Sequence, residues 1–272
     1  MSLLYAIPPF VLLILAIGLA VTIACAGEIF VHRRFRESNF VPETDVAGFI
    51  VAVVGTLYAV VLGFVTIVVW QHYEDAGARV ALETASVGDM WHNAVSLPQP
   101  VRSDLRGDML AYARIMVKDE WPMMRDGKFS TDGDRLIMDA TTVVGQMVPH
   151  NLGESNGQAN TMHLLNDLHD ARLERLASNH AAVSAFQWVV LFIGAFVVLT
   201  FCFLFSVERL GAHLMMTSAV AILIASLFVL IFELQYPFRS NLGVSSETWS
   251  GLVHHIEDMD RTHGPMAMTM RM

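Results

Sequence analysis

The sequence predicts an all-α membrane protein in which four transmembrane helices form two hairpins, with a helical soluble insertion between spans 2 and 3 and the second span continuing as one long helix. Three observations carry this. The chain has 272 residues, of which 54% are hydrophobic and only 16% charged, where roughly 25% charged is usual for a soluble domain. Four stretches of about 20 apolar residues, the length that crosses the hydrocarbon with every backbone group bonded internally, fall at about 6–28, 46–70, 186–207 and 212–234. After Trp70 the chain turns polar through "QHYEDAGARVALETASVGDMW" without a Pro or a turn cluster to stop the helix.

Span 1 lacks a basic segment before its apolar run and carries its positive charge after it, so it reads as a retained helix and not a cleaved export signal. The loop between spans 1 and 2 holds Arg33, Arg34 and Arg36, and that between spans 3 and 4 holds Arg209, whereas the first seven residues hold no basic side chain. The positive-inside rule therefore puts both short loops in the cytoplasm, and both termini and the insertion outside it. This divides the chain into a first hairpin over 1–70, a soluble domain over 71–185, a second hairpin over 186–238, and a C-terminal amphipathic helix with a Met/His-rich tail over 239–272.

Within the insertion, helix is expected from Arg102 to Trp121, with a loosening at "PMMRDGKFSTDGD". It is expected again from about Asp134 to Met147, and then along a segment carrying Leu165, Leu168, Leu173 and Leu176 on one broad face. Arg172, Glu174 and Arg175 read as a solvated, ion-paired face of that last helix. "SSETWSGLVHHIEDM" reads as a helix capped by Ser245 or Ser246, with Trp249 and Leu252 facing protein or membrane.

The long second helix carries the main functional signal. Gly48, Ala52, Gly55, Ala59, Gly63 and Thr66 recur every three or four residues, and Gly77, Ala81, Ala85 and Gly88 continue the series. Small residues let helices approach closely in lipid. The stripe is read either as a packing face, toward the helix entering span 3 or toward the same helix of a neighbouring subunit, or as the lining of a narrow path, with Gly55, Ala59, Gly63 and Thr66 facing the ions. His72, Glu74 and Asp75 stand where span 2 leaves the membrane, and the segment 71–185 holds sixteen Asp and Glu against ten Lys and Arg. An acidic mouth concentrates cations, although acidity also serves solubility. Glu28 and Glu233, near span ends, are costly at such depth and mark a candidate ion route, unless both reach the headgroups.

The tail places His254, His255 and His263 before Met266, Met268, Met270 and Met272. Thioethers suit Cu(I), and imidazole suits Cu or Zn, so a metal site is one reading and a flexible end the other; no other cofactor is expected. Cys25 and Cys202, the two cysteines, lie inside spans and read as small packing residues. The sequence lacks a phosphate-binding Gly loop, a zinc-helix His pair and a nucleophile elbow, so neither an enzyme nor a nucleic-acid partner is expected.

The series "GTLYAVVLGFVTIVVWQHYEDA", "GDMWHNAVSLP", "YARIMVKDEWPMM", "LNDLHDARLERL" and "QYPF" resembles, in order, the motifs of the bestrophin-like family of bacterial membrane proteins, over roughly Asp45 to Gly243. That family is remotely related to the bestrophins, which are pentameric anion channels. The resemblance implies a four-span homo-oligomer in the bacterial cytoplasmic (inner) membrane, with lipid and inorganic ions as its partners. Bestrophins keep their soluble part in the cytosol, whereas the arginines here argue for the other side, so anion selectivity does not carry over. The expected function is that of an oligomeric, cation-conducting channel lined by span 2. The alternative is a non-conducting sensor or scaffold whose soluble helices bind a partner or metal.

Overall fold

A computed structural model describes residues 5, 7–35, 44–204 and 210–263. Among them the secondary structure is helical throughout: α1 (Pro9–Phe35), α2 (Thr44–Asn93), α3 (Val101–Ile115), α4 (Trp121–Arg125), α5 (Asp132–Gly145), α6 (Leu152–Ala177), α7 (Ala185–Leu204), α8 (Leu210–Leu234) and α9 (Glu247–His263). Four helices are long and apolar enough to span a membrane, over Pro9–Arg34, Gly48–Ser96, Ala185–Phe203 and Leu210–Leu234. The second is the 50-residue α2, unbroken past Trp70. The chain divides into two compact units. One comprises Met1–Tyr73, Ala181–Tyr236 and Ser240–Leu242; the other comprises Glu74–His180, Pro237–Arg239 and Gly243–Met272.

In the first unit α1 packs most extensively on α8. The face of α8 that meets it is built from His213, Thr217, Ala221 and Ala225, buried residues four apart in sequence, and Ala24 of α1 is fully enclosed. This small-residue spacing lets two backbones approach in lipid, where packing replaces the hydrophobic effect. Two glycines mark other close approaches. A Cβ on Gly27 would lie 2.7 Å from the Phe203 ring, and one on Gly194 would run into the Tyr58 ring. The extramembrane end of this unit is fastened by Gln235. Its amide oxygen accepts from Trp188 Nε1 (3.1 Å), its amide nitrogen donates to Tyr5 Oη (3.2 Å), and its backbone oxygen accepts from Ala182 N (3.0 Å).

In the second unit α2 contributes Ala76, Val80, Val87 and Met90, α3 contributes Leu105, Met109 and Tyr112, and α5 contributes Ile137, Ala140 and Val144. These positions recur at spacings of three, four or seven residues, as a helix needs to bury one stripe. Leu165 and Leu168 of α6 complete the core. The core side of α6 then continues not with Leu173, which is 49% exposed, but with Arg172 and Arg175, both fully buried. The solvated arginine face expected from the sequence is thus corrected. The N-terminus of α6 is closed reciprocally: Asn151 Oδ1 accepts from Glu154 N (2.9 Å), and Glu154 Oε2 accepts from His150 N (2.8 Å). Between α3 and α4 the helix widens to a π-type turn over Met116–Glu120. Pro122 has no N–H to return to the preceding turn, and the widened stretch lets the chain stay helical past it to Arg125. Glu247 N donates to Ser245 Oγ (3.3 Å) at the start of α9, which packs on α3. Trp249 is fully buried beside Tyr112, so this amphipathic helix faces protein.

Candidate functional site

The membrane part of α2 presents three faces. Tyr58, Leu62, Val65 and Val69 pack into their own unit with Leu191, Ile231 and Leu234. At 3.6 residues per turn, Gly55, Ala59, Gly63 and Thr66 lie about a quarter turn from that packed face. Ala59 and Gly63 are exposed, Gly55 and Thr66 half-buried, and a Cβ built on Gly48, Gly55 or Gly63 meets nothing within 4 Å among the described residues. Further round, Phe49, Val53, Leu57, Val60, Phe64 and Ile67 form a large exposed apolar face. The small stripe is therefore not the surface on which α2 meets the third span; that contact uses the large Tyr58 of α2 against Gly194 of α7. Nor does it run uniformly along the helix. Beyond the membrane, Gly77 and Gly88 approach Val244 and Leu252 within their own unit, while Ala81 and Ala85 stay exposed. Thr66 Oγ1 donates to Leu62 O (2.8 Å), which leaves its lone pairs available to the stripe.

His72 is half-buried, and Glu74 and Asp75 are exposed. Glu28 and Glu233 are each only 2% exposed, enclosed by protein, and neither belongs to α2. Glu28 Oε1 lies 2.8 Å from His213 Nδ1, and His213 Nε2 lies 2.9 Å from the Cys202 backbone oxygen. The Thr217 hydroxyl stands beside the Glu28 carboxylate, and the Ser240 hydroxyl beside that of Glu233. Cys25 Sγ sits 3.4 Å from Ser218 Oγ, again between α1 and α8. No signal in the sequence linked Glu28 to His213; the two are 185 positions apart and each looks isolated in its span.

The second unit contains a buried charge network that the sequence reading missed. Arg175 Nε donates to Glu83 Oε2 (2.5 Å), its Nη2 donates to Glu83 Oε1 (3.0 Å), and Tyr112 Oη donates to the same Glu83 Oε1 (2.5 Å). Arg172 pairs with Glu120 (3.0 Å) and Asp134 (2.8 Å) and donates to Ser130 O (2.7 Å). Glu83, Glu120, Arg172 and Arg175 are all fully buried. Burial alone would lower both guanidinium pKa values, but the surrounding acids more than reverse this and keep the arginines charged. Burial, and then the neighbouring Glu83 carboxylate, push the Tyr112 phenol well above its ordinary range. Glu174 is the exception on this helix, exposed and paired with Arg79 at the surface.

Elsewhere on this unit, burial and then the negative charges of Asp139 and Asp104 push the Asp108 carboxyl up. A carboxyl raised by folding favours the protonated folded state, so its ionisation takes away stability progressively as pH rises from the unfolded pKa through the folded one, and costs nothing only below the unfolded pKa. Asp108→Asn is accordingly expected to raise the thermal midpoint at about pH 7 and to leave it unchanged near about pH 3, as followed by tryptophan fluorescence.

Of the proposed metal ligands, His254 and His255 are exposed on α9, and the His255 ring lies 6.4 Å from that of His92. The His263 side chain and Met266, Met268, Met270 and Met272 lie outside the described residues, as do Arg36 and Arg209. Among the described residues no group of three or more His, Cys, Asp or Glu is placed to hold a metal.

The fold is shared with solved structures. A mutant of a bacterial bestrophin homolog from Klebsiella pneumoniae is 15% identical with a TM-score of 0.65, covering 90% of this chain and 98% of that one. A second mutant of the homolog is 14% identical with a TM-score of 0.67, covering 91% and 98%. A structure described as a membrane protein is likewise 14% identical with a TM-score of 0.67, over 91% and 98%. No curated protein matches the chain. The family described as the Bestrophin-like domain matches residues 16–249, and with four apolar helices over that span the chain belongs to the bestrophin-like family of membrane proteins.

Proposed function

We propose that this chain assembles into an oligomeric ion channel in which α2 lines the path. The observation that carries the reading is the open face of α2. Its large residues Tyr58, Leu62, Val65 and Val69 are used for packing within the chain, while a quarter turn away Ala59 is exposed and a Cβ on Gly55 or Gly63 meets nothing within 4 Å among the described residues. A helix in lipid with a small-residue face that meets no partner among the described residues of its own chain is suited to meet copies of itself around an axis, where small side chains leave room for ions. Glu74 and Asp75, exposed one turn beyond the span, supply negative charge at the mouth, and the acidic balance of the insertion favours cations over anions. Glu28 and Glu233, buried away from α2, are assigned no direct contact with the permeating ion. The arginines of the short loops orient the insertion and both termini outside the cytoplasm of a bacterial inner membrane.

Native mass spectrometry and reconstituted liposome flux test this together. The expected result is a closed oligomer that passes K⁺ or Na⁺ faster than Cl⁻. A monomer, or no flux of K⁺, Na⁺, Ca²⁺ or Cl⁻ at any voltage, leaves the chain a scaffold. Faster Cl⁻ flux overturns the cation preference alone. Orientation is read in a variant with both native cysteines replaced. A cysteine introduced at Asp126 or Ser155 should react with an impermeant thiol reagent applied outside the inner membrane, and one at Ser38 should not; the reverse pattern places the insertion in the cytosol.

A further inference from the structure

We infer that Glu28 and His213 form a proton-binding site buried between α1 and α8, and that the proton it holds is required for these two spans to pack. The hydrogen-bond pattern requires it. Both nitrogens of His213 face oxygen acceptors: Nδ1 faces Glu28 Oε1 at 2.8 Å, and Nε2 faces the Cys202 carbonyl at 2.9 Å. A neutral imidazole carries one N–H, and a backbone carbonyl only accepts. Nε2 must therefore hold a proton for Cys202, and a second proton must lie between Nδ1 and Oε1. That second proton sits on nitrogen, as imidazolium with carboxylate, or on oxygen, as neutral imidazole with carboxylic acid. The pair is electrically neutral in both forms.

Losing that proton to water changes the balance. The Nδ1 lone pair then faces a carboxylate, and one negative charge remains on a group that is 2% exposed, beside a histidine that is 5% exposed. Thr217 is one helical turn from His213, and its buried hydroxyl stands beside the Glu28 carboxylate. The site is thus polar and enclosed, and an isolated charge in such a place costs far more than a neutral pair. The cheapest relief is for α1 to part from α8 and let water reach the carboxylate.

Few titratable or charged groups among the described residues surround the pair. From α1 they are Cys25, against Ser218, the exposed His32 one turn beyond Glu28, and the exposed Arg33 and Arg34 just after it. From α7 there is Cys202, and from α8 His213 itself, with Glu233 five turns away. Glu208 and Arg209 lie outside the described residues. The inference does not depend on whether the assembly conducts.

Cys25 and Ser218 supply a gauge, because their Sγ and Oγ atoms are 3.4 Å apart at the same helix interface. In a Cys202→Ala, Ser218→Cys background, the rate at which Cys25 forms a disulfide with the introduced thiol under a fixed oxidant reports how closely α1 and α8 approach. Each rate is divided by that of the same background carrying Glu28→Gln, which removes the acid but can donate an amide N–H to Nδ1. Full-length protein in lipid nanodiscs is compared from about pH 5 to about pH 9. The expected result is a ratio that falls by roughly tenfold or more as pH rises. The unfolding midpoint with both native cysteines in place should fall over the same range, while that of Glu28→Gln stays level. A flat ratio, or midpoints that track one another, overturns the inference. So does a Glu28→Gln protein that fails to fold, since the neutral amide preserves the contact on which the account rests.

Discussion

Replacing Arg175 with Met should destabilise the helical insertion by about 3–5 kcal/mol, the cost of leaving a buried charge without its partner. Glu83 would keep only the Tyr112 hydroxyl, and Glu120 only Arg172 and the Ser130 amide, inside a core where Glu83, Glu120, Tyr112 and Arg172 are fully buried. The methionine cannot restore the paired donation of Nε and Nη2 to the two Glu83 oxygens. Urea titration read by the buried Trp121 and Trp249 of the same core, together with proteolysis of the insertion, measures the loss. Arg79→Ala is the matching surface control. It removes an ion pair with Glu174 in which both side chains are partly exposed, and such pairs contribute about 0–1 kcal/mol. Equal losses in the two variants would mean that the buried network contributes nothing special.

The contrast between these arginines also shows where the sequence stopped being readable. The four spans, and the continuation of α2 past Trp70, follow from local hydropathy and the lack of any helix breaker, which act over tens of neighbouring residues. The core face of α6 does not. Leu165 and Leu168 begin an apolar stripe that Arg172 and Arg175 complete, so the periodic signal pointed to Leu173 and Leu176, and Leu173 proved exposed. Arginine can occupy a core position only when distant acids satisfy it, and here Glu83 and Glu120 lie 92 and 52 positions away from Arg175 and Arg172. The same holds for Glu28, whose partner His213 belongs to the last span. Periodicity did place Gly55, Ala59, Gly63 and Thr66 on one line of α2, but which neighbours that line meets depends on side chains of α7 and α8 that no local pattern specifies.

Replacing Gly63 with Leu has the other large expected effect, on transport and not on folding. The position is exposed and a Cβ there meets nothing within 4 Å among the described residues, so a longer side chain is accommodated within its own chain. If that open face lines an ion path, the added isobutyl group obstructs the path where it is narrow. Flux through liposomes is expected to drop at least about tenfold with the subunit count unchanged. If the face instead packs helix on helix between subunits, the same substitution disrupts assembly first. Val65→Ala, on the face already committed to packing inside the chain, is the control expected to leave flux near wild type.

Exposure of position 63 to the permeating ions can be measured on a working assembly. In a background with Cys25 and Cys202 replaced by Ala, Gly63→Cys is reconstituted and K⁺ flux is followed while a small, charged, membrane-impermeant thiol reagent is added. A lining position predicts flux that falls on addition and returns when a reductant removes the adduct. Unreactive protein, or complete labelling with flux unchanged, would contradict the claim that α2 lines the path.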